Sequence, residues 1–257
     1  MVPLNLRAVA DTIDKLYKAA ELKPDTPLKP YQERVADTGT EPSARKLIYH
    51  ALGTGKTLSA IGAAEKAGDP YTAVVPASLR PNFLKERAKW TDQKTPAQLT
   101  SYNAMARGVG PTDTRTLIVD EAHRLRNEGS QQTKAVNDLA ANADHVYMLS
   151  GSPIVNRPGD LAPLLSILRN EPISSESFEK QFVGEQEVQP GFFDWLFGMK
   201  STKVPKLQNE DKLRQMLEGL VDYEGTPPAD VDVREEEQTV EMSPEQHKLY
   251  QGFWNKL

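Results

Sequence analysis

Short apolar runs alternate with helix-like segments between residues 47 and 168. The runs are LIYH (47–50), YTAVV (71–75), LTSY (99–102), TLIVD (116–120) and HVYMLS (145–150). Helix-like segments lie between them at 57–67, 80–90 and 130–142. Strands of a parallel sheet are buried on both faces and are connected through helices. The order therefore predicts an α/β fold, a mostly parallel sheet with helices on both faces.

The segments on either side have different patterns. Residues 5–22 carry apolar side chains at three- and four-residue spacings, which predicts an N-terminal docking helix, and prolines 24, 27 and 30 follow as a stiff connector to a second helix at 31–37. Beyond residue 170, GFFDWLFGM (191–199) indicates a satellite hydrophobic core, with a partner-binding patch as the alternative, and VDVREEEQTVEM (231–242) indicates a strand. We expect an N-terminal helix and linker over 1–27, the sheet domain over 28–170, and an insertion that ends the domain over 171–257.

The run LIYHALGTGKT (47–57) turns from a strand through glycines into a helix. Backbone N–H groups at such a helix start point towards one place and favour an anion. Lys56 would add a cation for phosphates, and Thr57 a hydroxyl for Mg²⁺. The full phosphate-loop pattern has glycine where this chain has His50, so a surface turn that contains Gly and Lys is the alternative.

Two adjacent carboxylates, Asp120 and Glu121, follow the fourth apolar run. One can hold Mg²⁺ while the other orients or deprotonates a water, as hydrolysis of a phosphate anhydride requires. An ordinary acidic helix cap is the alternative for the pair by itself. A phosphate loop followed by a strand-terminal acid pair, in this order, is typical of a nucleoside triphosphatase.

These motifs resemble those of superfamily-two helicases, in particular the Swi/Snf-type translocases of double-stranded DNA. GTGKT, DEAHRLRN and LSGSPIVNRPGDLAPLLSIL resemble motifs I, II and III, and LKPYQ (28–32) is similar to the opening motif of that branch. AVVPASLRPNFLKERAKW (73–90) looks like motif Ia, LTSYNAM (99–105) like motif Ib, and MSPEQHKLY (242–250) like the end of the first lobe. The resemblance implies the first RecA-like, P-loop lobe of an ATP-driven motor. LRQMLEGLVDYEG (213–225) stands where the family often has a Leu-Arg-Arg run, so the role of that segment stays open.

The resemblance also implies roles for individual residues, with ATP and Mg²⁺ as cofactors. Lys56 would contact the β- and γ-phosphates, Thr57 and Asp120 would hold Mg²⁺, and Glu121 would be the catalytic base. The remaining residues implied in nucleotide binding are Gln32 at the adenine and Leu52, Gly53, Thr54 and Gly55 in the loop. His123, Ser150, Gly151 and Ser152 would couple the nucleotide site to the nucleic acid, and the DNA backbone would lie along Pro76, Ser78, Thr100 and Tyr102.

Charge is unevenly distributed along the chain. The net charge is −5, yet residues 1–170 hold 22 Lys and Arg against 18 Asp and Glu. A mildly basic first part is compatible with a polyanion partner. Lys85, Arg87 and Lys89 on one segment, and Arg124 and Arg126 after the acid pair, are each either a solvated face or phosphate contacts.

Cysteine is absent, which excludes disulfides, thiolate catalysis and Cys-based zinc sites. No signal pattern or membrane-length apolar stretch is present, so we expect an intracellular, cytoplasmic protein with the nucleus as an alternative. The family's second lobe has no match up to Leu257, and we expect that lobe in cis or in trans and little activity from this lobe alone.

The leading hypothesis is thus the ATP-binding lobe of a motor that moves on double-stranded DNA. One alternative is a nucleotide-dependent switch or scaffold that does not translocate. A second alternative is a lobe of a restriction-type or RNA helicase.

Overall fold

A computed structural model of the chain describes residues 27–188 and 202–225. The strands are β1 (Ala44–His50), β2 (Tyr71–Val74), β3 (Ala97–Thr100), β4 (Thr116–Val119), β5 (His145–Ser150), β6 (Val183–Val188), β7 (Thr202–Leu207) and β8 (Val221–Glu224). The helices are α1 (Pro30–Asp37), α2 (Lys56–Ala67), α3 (Arg80–Trp90), α4 (Tyr102–Ala106), α5 (Gln131–Ala141), α6 (Ala162–Arg169), α7 (Ser175–Phe182) and α8 (Glu210–Leu217).

Six strands form one parallel sheet in the order β3-β2-β4-β5-β1-β8. This confirms the predicted fold class. The five predicted strands and the predicted helices at 31–37, 57–67, 80–90 and 130–142 are all present within a few residues of their expected bounds. The sixth strand, β8, and the antiparallel β6–β7 hairpin were not predicted.

Both faces of the sheet are buried, because successive side chains of each strand point to opposite sides. On one face Leu47, Leu117, Val119, Val146 and Met148 pack with apolar side chains of α4 to α7. On the other face Ile48, Ala73, Ile118, Tyr147 and Leu149 pack with apolar side chains of α1, α2 and α3. This two-sided burial explains why the strands appear in the sequence as continuous apolar runs.

The carboxyl ends of β4, β5 and β1 lie side by side in the middle of the sheet, since β5 pairs with both neighbours. Ligands of open parallel sheets bind outside these ends. Within the described residues, no helix is long and apolar enough to cross a membrane. The predicted helix at 5–22, the aromatic segment at 191–199, the strand at 231–242 and the match at 242–250 lie outside the described residues.

Candidate active site

The loop between β1 and α2 has the backbone conformation expected of an anion-binding loop. Gly53 and Gly55 have φ angles of 78° and 79°, in the left-handed region that glycine adopts without strain. A Cβ at Gly55 would lie 2.6 Å from Nε2 of Gln32, so a larger residue would displace the Gln32 amide from its hydrogen bond to Thr54. Within the described residues, no side chain caps the first turn of α2, which leaves its leading N–H groups open to a ligand.

Lys56 is the first residue of α2, and its side chain is half-buried. Its ammonium Nζ donates to the carbonyl oxygens of His50 at 3.0 Å and Ala51 at 3.1 Å. Burial lowers the pKa of Lys56, while the negative charges of Glu121 and Asp120 oppose that shift. The cation therefore lies within electrostatic reach of both carboxylates, and its hydrogen bonds to the residues that the structure describes are to backbone carbonyls.

Helix α1 packs its first turn against the phosphate loop. Gln32 is buried, and its Nε2 donates to the carbonyl of Thr54 at 2.8 Å while its Oε1 accepts from the backbone N–H of Lys29. The hydroxyl of Tyr31 donates to the same Thr54 carbonyl at 3.0 Å. Gln32 thus lies beside the loop and its amide is hydrogen-bonded to backbone groups, while its predicted contact with adenine stays a prediction. Leu52 at the loop tip is 77% exposed.

The acid pair follows β4 in a tight turn. Glu121 has a φ of 55°, a left-handed conformation that is unusual for a residue with a side chain, and its N–H donates to Oδ1 of Asp120. Burial, and then the charge of Glu121, raise the pKa of Asp120 to about 6. A nearby cation would stabilise the ionised form of this carboxyl group. Asp120 is therefore a suitable ligand for a divalent metal ion.

The residues expected to couple the two sites lie between the phosphate loop and the acid turn. His123 Nδ1 is 3.3 Å from Oε2 of Glu121 and 3.5 Å from Oγ of the buried Ser150. Ser150 Oγ also accepts from the N–H of Ser152. A Cβ at Gly151 would lie 3.7 Å from Nζ of Lys56. The end of β5 therefore contacts both halves of the site.

The four residues predicted to lie along the DNA backbone differ in exposure, and their contact with DNA stays a prediction. Pro76, Thr100 and Tyr102 are buried, and Ser78 alone of the four is exposed. Tyr102 points inwards and donates its hydroxyl to the carbonyl of Asp120 at 2.5 Å. Burial follows from position, since Pro76 and Thr100 stand where strands end and Tyr102 is the first residue of a helix packed on the core.

The expectation of a solvated Arg87 is wrong, because its side chain is buried and ion-paired. Its side chain is 10% exposed, and its Nε lies 3.2 Å from Oε1 of the fully buried Glu65 on α2. Its Nη2 donates to the carbonyl of Thr95. Lys85 on the same helix is exposed, as are Arg124 and Arg126. The last two line an open basin with His123 beside the acid turn.

A polar cluster under the phosphate loop was missed in the sequence. His50 is fully buried, and its Nε2 is hydrogen-bonded to Oδ1 of Asp222 on β8 at 2.7 Å. Arg34 of α1 donates to both oxygens of the same carboxylate, from Nε to Oδ2 at 2.7 Å and from Nη2 to Oδ1 at 2.9 Å. Burial would raise the pKa of Asp222, but the hydrogen bonds from His50 and Arg34 hold it at about 2. The residue that departs from the usual phosphate-loop pattern is thereby accommodated by a strand 172 positions away.

More than half of the chain matches the model of one known family. Residues 94–256 match the SNF2-related domain. The chain belongs to the SNF2-related family. Among family relatives, the DNA annealing helicase and endonuclease ZRANB3 of Bos taurus is 26% identical over 176 residues, covering 56% of this chain and 16% of the relative. A termination factor NPH-I homologue of African swine fever virus is also 26% identical and covers 96% of this chain and 41% of the relative.

The SNF2-related fold is also found in a solved structure. The SWI2/SNF2 ATPase core of Sulfolobus solfataricus, determined in complex with double-stranded DNA, matches with a TM-score of 0.59 over 82% of this chain and 46% of that one. Its sequence identity is 19%, so the match bears on the fold. The chain spans between 12% and 41% of the length of the curated relatives ZRANB3, the NPH-I homologue and the Neurospora crassa DNA repair protein rad5.

Proposed function

We propose that this chain is the nucleotide-binding lobe of a DNA-dependent ATPase that binds ATP with Mg²⁺ at the carboxyl ends of β1, β4 and β5. The observation that carries the proposal is the electrostatic coupling of Lys56 to Asp120 and Glu121 beside an uncapped helix start. We assign residues 28–170 as the core of this lobe, and the described part of the segment after residue 170 as an insertion that completes it. This assignment is supported by β8, which joins the same sheet from the later segment.

Each residue has a role that follows from its position. The N–H groups at the start of α2 bind phosphate oxygens, and Lys56 leaves the carbonyls of His50 and Ala51 to add its charge. Thr57 and Asp120 are the side chains that would hold Mg²⁺, which when bound neutralises charge on the β- and γ-phosphates. Glu121 is the base that orients a water and accepts its proton.

We propose that the full protein moves along double-stranded DNA and that ATP hydrolysis drives this movement. Support comes from the family, whose relatives include DNA repair proteins and a helicase, and from the DNA in the structural neighbour. On this lobe the exposed Ser78, Arg124 and Arg126 are the side chains positioned to meet phosphates. Motors of this kind close the nucleotide between two lobes, so a second RecA-like lobe is the expected partner. Action on DNA would place the protein inside the cell.

The test is ATP hydrolysis by the full-length protein with and without duplex DNA, for wild type and Glu121→Gln. We expect DNA to stimulate wild-type turnover, and the variant to bind Mg-ATP but hydrolyse it at least roughly a hundredfold more slowly, because an amide cannot accept the proton. Glu41→Gln is the matched control, since Glu41 is exposed and precedes the opposite end of β1. ATP binding that is indifferent to DNA, without hydrolysis, would replace the motor with a nucleotide-dependent switch.

A further inference from the structure

Tyr102 lies directly beneath the acid turn, with 2% of its surface exposed. Its hydroxyl donates to the carbonyl of Asp120 at 2.5 Å and lies 3.3 Å from the carbonyl of Glu121. One side chain thus contacts the main chain of both acidic residues.

The turn that receives this hydroxyl has an unfavourable backbone conformation. Glu121 is held at a φ of 55°, and such a conformation persists only when the surrounding structure imposes it. The hydrogen bond from the Glu121 N–H to the carboxylate of Asp120, at 3.0 Å, is local to the turn. Tyr102 contributes a restraint from another element, which fixes the turn relative to the core.

Helix α4 gives Tyr102 a rigid base. The Oγ of Ser101 caps the helix by accepting from the N–H of Ala104, and the Tyr102 ring packs in the core with Leu117 and Val119 of the neighbouring sheet. The guanidinium of Arg124 lies 5.8 Å from the centre of the ring. Because Arg124 follows the acid turn, ring and turn contact each other at two points.

We propose that Tyr102 is a positioning residue for hydrolysis, whose hydroxyl holds the backbone of the acid turn so that the Glu121 carboxylate is aimed at the bound nucleotide. The inference rests on the proposed function and adds a residue to it. It predicts that loss of the hydroxyl alone lowers the rate of the chemical step and leaves nucleotide binding nearly intact. Misplacement of a catalytic group by about 1 Å lowers rates by up to roughly a hundredfold.

The experiment compares Tyr102→Phe with Tyr147→Phe. Tyr147 is also fully buried, and its hydroxyl contacts Oγ1 of Thr38 on the other face of the sheet, so the control removes a buried hydroxyl away from the site. Single-turnover ATP hydrolysis and the Kd for Mg-ATP are measured on the full-length protein. We expect the rate to fall about tenfold or more in Tyr102→Phe with Kd within about threefold of wild type, and both to be unchanged in Tyr147→Phe.

A second measurement needs no nucleotide. Backbone hydrogen exchange over residues 119–126 should be about tenfold faster in Tyr102→Phe than in wild type, and unchanged in Tyr147→Phe. A third uses the Glu121→Gln background, where adding Tyr102→Phe should cause almost no further loss of rate if Tyr102 acts through Glu121.

Each outcome has a defined meaning. Unchanged exchange, or a full additional loss of rate in the Glu121→Gln background, would overturn the positioning role. Equal losses in the two Tyr→Phe variants would show a general stability effect and would also overturn it. A wild-type protein that hydrolyses no ATP would instead remove the proposed function, even with the exchange result as predicted, and with it the catalytic part of the inference.

Discussion

Single residues of the site are held in environments that oppose their ordinary charge state. Asp120 is the example, because burial and Glu121 raise its pKa to about 6. The folded protein therefore binds a proton at Asp120 more tightly than the unfolded chain does, and stability contributed by this group falls as pH rises from about 4 to about 6. At neutral pH the ionised carboxylate destabilises the nucleotide-free fold.

Asp120→Asn should therefore stabilise the nucleotide-free protein at pH 8, by about 1–3 kcal/mol, because the amide is neutral. The gain should shrink as pH falls towards 4, where wild-type Asp120 is already protonated. Thermal or urea unfolding at several pH values measures the effect, and Asp113→Asn, at an exposed loop position, is the control. A gain that grows on acidification would contradict the assigned environment.

The sequence predicted that Lys56 and the acid pair lie at the ends of buried strands, because a phosphate loop and a strand-terminal acid pair each have a local sequence pattern. Lys56, Asp120 and Glu121 are neighbours in the fold for the reason the sequence suggested, since carboxyl ends of parallel strands meet at one edge. The orientation of Tyr102 was not predictable. A tyrosine after a strand has the same local pattern whether it faces solvent or, as here, the underside of another turn.

At the scale of elements, polar side chains fix how helices and strands meet. Helix α3 is attached to α2 by Arg87, which reaches the fully buried Glu65. Burial raises the pKa of Glu65 even with this partner, so removing the arginine leaves a buried carboxyl group without its cationic partner and with the Tyr71 hydroxyl as a remaining donor. The pair was invisible in the sequence because Arg87 stands between two exposed lysines that share its spacing.

Arg87→Met should therefore lower the free energy of unfolding by about 3 kcal/mol, whereas Lys85→Met on the exposed side of the same helix should change it by no more than about 0.5 kcal/mol. Urea unfolding at pH 7 measures both. Equal, small effects would show that Arg87 is solvated after all.

Strand β8 is attached to the phosphate loop by Asp222, which bonds His50 and Arg34. Because the folded pKa of Asp222 is about 2, below its ordinary value, its stabilisation is present above about pH 4 and is lost as pH falls towards 2.

Asp222→Asn should lower the free energy of unfolding by about 1–2 kcal/mol at pH 7 and by less at pH 3. Asp37→Asn, in an exposed pair with Lys66, should cost little at either pH. A pH-independent loss in Asp222→Asn would contradict the ionic role.

The sequence predicted most of the molecule's architecture but not all of its connections. Five strands were recognisable as continuous apolar runs, whereas β8 is four residues long and only partly buried, so its run is short and mixed. Its place beside β1 depends on pairing across more than 170 positions, which no local pattern encodes. The same long-range pairing supplies the partner of His50 and so explains how a phosphate loop with histidine at that position is built.

At the scale of the whole molecule, the proposed nucleotide site lies at the ends of β1, β4 and β5. If ATP binds there, its affinity depends on Mg²⁺ and on Lys56. The direct measurement is equilibrium titration of a fluorescent ATP analogue with the full-length protein, with and without Mg²⁺, for wild type, Lys56→Ala and Lys66→Ala. Lys66 lies at the other end of α2 and is the matched control. We expect Mg²⁺-dependent binding in wild type and Lys66→Ala, and at least roughly a hundredfold weaker binding in Lys56→Ala because a charge-assisted phosphate contact is lost. Wild-type affinity in a folded Lys56→Ala protein would contradict a nucleotide site at the carboxyl ends of these strands.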